Sequence, residues 1–383
     1  MKSLLISCDY FPPEIGGISQ LMNGITSALG PKYVCCLTGQ RADTKKDQVD
    51  SGVRVYRRPA IFNSKWRALR GAAWAATIAE IMVRERPQVT QLATAGEGER
   101  GIRLRKWFGL PFVIYAHGNE VLNATQKGAH SLKLTLQAAD RVLAVSRYTA
   151  NLVQKLGIPP ERIEIVHPGC DIKQFRPLSP SLDLKQKLLN RGPKEKVILT
   201  VGNLVPRKGH DMVIRALRRL RETVPEVTYL IVGEGPYRAA LEKLTRQLGV
   251  HDRVVFAGRV PTEELPQIYA ISEVFVMPSR ERINECDVEG FGIVFLEASA
   301  CARPVVGSRS GGIPDAIRDG VTGLLVNADD PDEIADALAR ILSDHDLAVR
   351  FGQQGRAWIS KNFGWSRTAE KVQCILEQVS HEK

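Results

Sequence analysis

The feature that most constrains this chain is a series of short runs that are apolar at nearly every position, alternating with segments of helical period. Val197-Ile198-Leu199-Thr200-Val201 is the clearest. A strand with one wet face alternates apolar and polar residues. A strand without one is covered on both sides, as parallel strands are in α/β sheets. Such runs occur at 3–8, 33–37, 53–56, 89–93, 111–115, 141–145 and 163–166, and again at 197–201, 228–232, 254–257, 274–277, 304–306 and 323–326. Between them lie helical patterns such as 210–222, with Val213, Ala216, Leu217 and Leu220 on one face. The alternation predicts doubly wound α/β sheets. It is interrupted between about 168 and 195, by Pro168-Gly169, Pro177, Pro180 and a polar tract over 183–196, which reads as an interdomain region. The 383 residues then form two Rossmann-like domains, 1–170 and 178–361.

Charge divides unevenly between them. Residues 1–170 hold 23 basic and 13 acidic side chains, a net of +10, out of +11 for the whole chain. A one-sided basic surface suits an anionic membrane, an anionic substrate or nucleic acid. The segment 64–86 carries Lys65, Arg67, Arg70, Arg84 and Arg86 around Trp66 and Trp74. The segment 98–108 adds Arg100, Arg103, Arg105 and Lys106 beside Trp107 and Phe108. Basic helices with interfacial aromatics are expected to lie on an anionic bilayer. The most apolar stretch, 71–83, is too short to span one and contains Glu80. Seven Cys without paired spacing are not a disulfide framework and point to a reducing cytoplasm.

Candidate ligand-binding residues follow the strands. Arg207-Lys208-Gly209 stands between the strand at 197–201 and the next helix, so two cations sit at a strand's carboxyl end beside a helix N-terminus, a setting suited to a diphosphate. Gly233 and Gly235 follow the strand at 228–232 and allow close backbone approach. In Glu289-Gly290-Phe291-Gly292, the glycines expose backbone N–H groups ahead of a helix, and Glu297 falls in the otherwise apolar run 293–301, where a carboxylate needs a partner. If the segment is mostly helical, Glu289 and Glu297 lie about 12 Å apart, far enough to hold two ends of one nucleotide-sugar. Gly16-Gly17 opens a helix after the first strand, and His117 ends the strand at 111–115. Two Asp-x-Asp matches, at 330–332 and 344–346, have better structural explanations than a metal site; Asp330-Pro331-Asp332-Glu333 has the form of an N-cap, a Pro at the first helical position and a capping-box Glu, and 344–346 lies between two helical stretches.

The order Gly16-Gly17, His117, Arg207-Lys208, Gly233-Glu234-Gly235 and Glu289-x7-Glu297, continuing through Gly311-Gly312-Ile313-Pro314-Asp315, resembles glycosyltransferase family 4 over nearly the whole chain. Asp287-Val288-Glu289-Gly290-Phe291-Gly292 is most similar to the branch with phosphatidylinositol mannoside mannosyltransferases and bacterial polysaccharide enzymes. The resemblance implies a GT-B fold, two Rossmann-like doubly wound domains facing a cleft, with a final helix at about 362–383 packing back on the first. It implies retaining transfer of a hexosyl group from a nucleotide-diphosphate sugar, of GDP-mannose or UDP-glucose type, to a glycan or lipid-linked acceptor. No metal or other cofactor and no nucleic acid partner is expected, and the enzyme is expected in the cytoplasm, peripheral on the inner face of the membrane.

The resemblance also implies roles. Arg207 and Lys208 bind the diphosphate and stabilise leaving-group charge; Glu289 and the backbone of Gly290, Phe291 and Gly292 hold the sugar; Glu297 holds the ribose. His117 contacts the sugar, and Gly16 and Gly17 touch phosphate and acceptor. The segment 282–286 departs from the family's pattern. A nucleotide-sugar 2-epimerase of the same architecture is the alternative, and a non-enzymatic binding module a third.

Overall fold

The computed structural model describes residues 1–39, 47–50, 52–58, 67–128, 130–190, 192 and 194–382. The chain divides into two compact units, Met1–Gly169 with Trp365–Lys383, and Cys170–Gly364. Strands of the first are β1 (Ser3–Ser7), β2 (Val34–Thr38), β3 (Asp47–Asp50), β4 (Val53–Arg57), β5 (Val89–Leu92), β6 (Phe112–Ala116), β7 (Arg141–Ala144) and β8 (Ile163–Ile165). Those of the second are β9 (Lys196–Val201), β10 (Val227–Val232), β11 (Val254–Gly258), β12 (Val274–Met277), β13 (Val305–Ser308) and β14 (Gly323–Val326). The helices that position the site and the core are α1 (Gly17–Leu29), α2 (Arg67–Glu85), α3 (Gly98–Phe108), α4 (Gly118–Lys127), α5 (Leu182–Leu189), α6 (His210–Thr223), α7 (Ile293–Ala300), α8 (Pro331–Ser343) and α9 (Trp365–His381).

The first sheet runs β3-β4-β2-β1-β5-β6-β7-β8 and the second β11-β10-β9-β12-β13-β14. Every pairing in them is parallel except β3 with β4, an antiparallel strand for which the apolar pattern gives no sign. The order reverses beside β1 and β5 in one sheet and beside β9 and β12 in the other. Open α/β sheets bind ligands at such reversals, outside the carboxyl ends of the strands.

The doubly apolar runs have the cause expected of them. In β9, Val197, Leu199 and Val201 join one buried cluster and Ile198 the cluster on the opposite face. In the first unit Leu5, Cys36, Val113 and Tyr115 pack against Leu21, Met22, Ile25 and Leu29 of α1 and against Val372, Ile375, Leu376 and Val379 of α9. Each such side chain contributes about 1.5–3 kcal/mol by burial, so α9 is part of this core. Trp365 lies so close that a Cβ on Gly24 or Gly169 would fall 2.4 Å or 2.7 Å from its ring.

Two expectations need correction. The polar tract over 183–196 is not wholly a linker: its first residues lie in α5, capped by Ser181 and packed into the second unit through buried Leu189. Glu333 is not a capping-box partner for Asp330. Asp330 accepts from the backbone of Asp332 and Glu333, while Glu333 accepts from Asn327 N and Arg309. Asp344 also caps a helix, accepting from Leu347 N. All seven cysteines are free thiols. Among the described residues no helix is long and apolar enough to cross a membrane.

Candidate active site

In the second unit the reversal between β9 and β12 brings two loops together. After β9, Pro206–Lys208 form one tight turn closed by Gly209 at φ +74°. Only glycine fits there, because a Cβ would fall 2.2 Å from the Pro278 carbonyl oxygen. The Arg280 amide, after β12, donates to the Arg207 carbonyl at 2.9 Å. The turn is thus tied to both strands, and Arg207 and Lys208 leave it side by side.

Both cations meet Glu289. Its Oε2 accepts from Lys208 Nζ at 2.6 Å and from Arg207 Nη1. Arg207 Nε donates to Asp287 Oδ1 at 2.7 Å. Burial would raise the Glu289 pKa, but Lys208 and then Arg207 outweigh it and hold it at about 2. The pKa is depressed below its unfolded value, so this charge stabilises the fold at ordinary pH. That contribution disappears only as pH falls from the usual carboxylate range through about 2. Burial pulls the Lys208 pKa down against the pull of Glu289. For Arg207 burial also opposes the charge, but Glu289 and Asp287 outweigh it and its pKa rises. The cluster therefore holds preorganised positive charge of the kind that stabilises a developing diphosphate.

Glu289 and Glu297 do not lie on one helix. α7 begins at Ile293, after Gly292 at φ +90°, and Gly290 lies in the loop before it, so the spacing of about 12 Å drawn from a helical rise does not apply. Glu297 is buried and accepts from Tyr269 Oη at 3.0 Å. The Phe291 side chain belongs to the core, its ring 6.0 Å from that of Phe363, which leaves only its backbone for a ligand. Gly233 and Gly235 are required by packing: a Cβ would fall 2.0 Å from the Gly202 carbonyl oxygen or 2.3 Å from that of Leu204.

In the first unit Gly16 and Gly17 are different. A Cβ on either would meet nothing within 4 Å, and Gly16 is in extended backbone that any residue adopts. Packing does not demand glycine there, which leaves room for a ligand. His117 ends β6 at the start of α4. Its Nε2 lies 2.8 Å from the Ala93 carbonyl oxygen, which makes Nε2 the protonated nitrogen, and burial pulls its pKa down to about 4. The imidazole is neutral at physiological pH, with its lone pair on Nδ1. Glu120 accepts from the His117 amide at 3.1 Å, and Glu97 accepts from the amides of Cys8 and Thr94.

The sequence assigned no role to Asp287, which entered only as the first residue of the motif 287–292, nor to Arg280 or Glu97. Glu97 had a signal, since Thr94-x-x-Glu97 is a capping box and the structure forms it. Asp287 and Arg280 lie in the irregular segment after β12, where no spacing rule applies.

Two family models match the chain, glycosyltransferase family 4 over residues 15–174 and glycosyl transferases group 1 over 183–358. A GDP-mannose-dependent alpha-(1-6)-phosphatidylinositol monomannoside mannosyltransferase of Mycobacterium tuberculosis is 33% identical, with 98% of each chain covered. The protein of that name from Mycolicibacterium smegmatis is 34% identical, over 97% of this chain and 98% of the relative. Among solved structures, the sucrose-phosphate synthase of Thermosynechococcus elongatus superposes with a TM-score of 0.82 at 22% identity, with all of both chains covered, and shares the GT-B fold.

Proposed function

The chain belongs to glycosyltransferase family 4, and from that premise we propose that it transfers a mannosyl group, with retention, from GDP-mannose to a phosphatidylinositol-linked acceptor. The observation that carries this reading is the cluster of Arg207, Lys208 and Glu289 at the reversal between β9 and β12. The choice of donor and acceptor rests on the activity for which relatives 33–34% identical over nearly their whole length are named.

In this reading the donor diphosphate takes the place of Glu289 as partner of Lys208 and Arg207, aided by the N-terminus of α6. Glu289, released from part of that pairing, accepts hydrogen bonds from sugar hydroxyls, as do the backbone groups of Gly290, Phe291 and Gly292. Glu297 holds the ribose. As charge develops on the leaving diphosphate the two cations stabilise it, and the leaving phosphate takes the acceptor's proton on the face where the new bond forms. The roles that the family likeness implies for His117, Gly16 and Gly17 belong to the same proposal.

The test supplies GDP-mannose, UDP-glucose or UDP-N-acetylglucosamine with phosphatidylinositol monomannoside. Mannose should enter the lipid, and GDP should appear only when acceptor is present. GDP-mannose altered without acceptor would favour the 2-epimerase; incorporation from a UDP-sugar alone would refute the donor. The same assay in excess EDTA should proceed undiminished, because the two cations occupy the place a metal would take. Loss restored by Mg²⁺ would overturn metal independence.

We also propose peripheral docking on the cytoplasmic membrane through the first unit. Ile102, Trp107 and Phe108 of α3 are exposed, as is Lys106. Not every basic residue is available. Arg105 is bound to Asp140 and to the Ala138 carbonyl, and Arg100 stacks on Trp74. Lys65 and Trp66 lie outside the described residues. Each cation near an anionic surface contributes about 1 kcal/mol, screened within about 8–10 Å. Flotation should show binding to anionic vesicles that salt reverses; equal binding to neutral vesicles, or none to either, would remove the claim.

A further inference from the structure

The segment 282–286, which the sequence sets apart from the family's pattern, has a geometry with a use. Arg282 and Asp287 pair across it, the Arg282 amide donating to the Asp287 carbonyl at 2.8 Å and the Asp287 amide to the Arg282 carbonyl at 3.2 Å. Between them runs one tight turn, Ile283–Glu285, closed by Cys286 at φ +54°. A left-handed cysteine is unusual, and such a conformation is kept where its surroundings impose it. Here the closed knot projects Asp287 onto Arg207.

We propose that Asp287 is a positioning residue for the diphosphate cation Arg207, a role that rests on the reading of the cluster given above. Arg207 has two acidic neighbours that grip different nitrogens, Asp287 on Nε and Glu289 on Nη1. Among the described residues Nη2 has no hydrogen-bond partner. A guanidinium is rigid and planar, so fixing Nε fixes the directions of both Nη groups. Glu289 is shared between Lys208 and Arg207, whereas Asp287 holds Arg207 at a separate nitrogen. When Glu289 turns to the donor, Asp287 keeps Arg207 paired and aimed, with Nη2 and the vacated Nη1 presented to phosphate. The Arg280 amide holds the Arg207 main chain from the same segment, so the loop after β12 fixes both ends of this side chain. The Arg280 guanidinium is in turn fixed to Asp211 Oδ1 at 2.8 Å, at the start of α6.

The experiment compares wild type, D287A, D287N, R207A and R207A/D287A in the mannosyl-transfer assay, with thermal unfolding of each. D287A should lower kcat/KM for the donor by about 10- to 100-fold, the scale of a misplaced catalytic group, at an unchanged Tm. Asn keeps an acceptor for Nε–H, so D287N should recover at least about threefold of that loss. In the R207A background D287A should have no further effect, since a residue that acts only through another is non-additive with it. A D287A enzyme within about twofold of wild type, an additive double variant, or a D287N no better than D287A would overturn the proposal. A wild type that transfers no sugar from any donor would instead overturn the reading of the cluster itself.

Discussion

Lys208→Ala is expected to lower turnover by about 10²–10³-fold, the range for removing one group that stabilises transition-state charge, without unfolding the protein. Lys208 Nζ contacts Glu289, and its side chain is 12% exposed, so the charge acts where water screens it little. Breaking a buried ion pair is usually costly because one charge is left alone. Here Glu289 keeps Arg207 as a partner, so the loss should appear in kcat and not in Tm. Turnover within threefold of wild type, at an unchanged Tm, would remove Lys208 from the chemistry.

Gly233→Ala should act in the opposite way, through the fold. The methyl group would fall 2.0 Å from the Gly202 carbonyl oxygen, at φ +141°, where L side chains are strained. Gly233 also donates its amide to the Gly258 carbonyl at 2.7 Å, so it cannot move aside without breaking the join between β10 and β11. Strain of this kind together with a backbone clash costs about 3–5 kcal/mol, and a unit of this size loses about 2–4 °C of Tm per kcal/mol. Calorimetry of the whole chain should show the loss. An unchanged Tm would mean that the strand end can relax, and would refute the packing requirement for glycine at 233.

These two cases show what was legible in the sequence. Strands covered on both faces are apolar at nearly every position, so β9 and its neighbours could be read from their apolar runs. β3 could not, because an antiparallel edge strand such as Asp47–Asp50 carries no apolar run. Arg207 and Lys208 were visible as charges placed at a strand end. The reason for each glycine was not. Gly233 and Gly16 look alike in a string of letters, yet one is pressed against a carbonyl oxygen and the other faces open space. Glu289 stood out in its motif, but its pairing with two cations depends on two loops that meet only because β9 and β12 are neighbours. The Glu289–Glu297 spacing failed for a local reason: Gly292 starts the helix four residues later than a continuous one would.

The place of α9 has a consequence for how the molecule is made. The first unit is built from Met1–Gly169 and completed by Trp365–Lys383, with the whole of the second unit threaded between. During synthesis the residues of α9 leave the ribosome only after Cys170–Gly364 have done so. The second unit can thus close on its own residues while the first still exposes the apolar faces of Met22, Ile25 and Leu29 that Val372, Ile375 and Leu376 will cover. The domain begun first is finished last. A premature stop near the 3′ end of the message, or trimming of the tail by a protease, would damage the remote amino-terminal unit and spare the adjacent one.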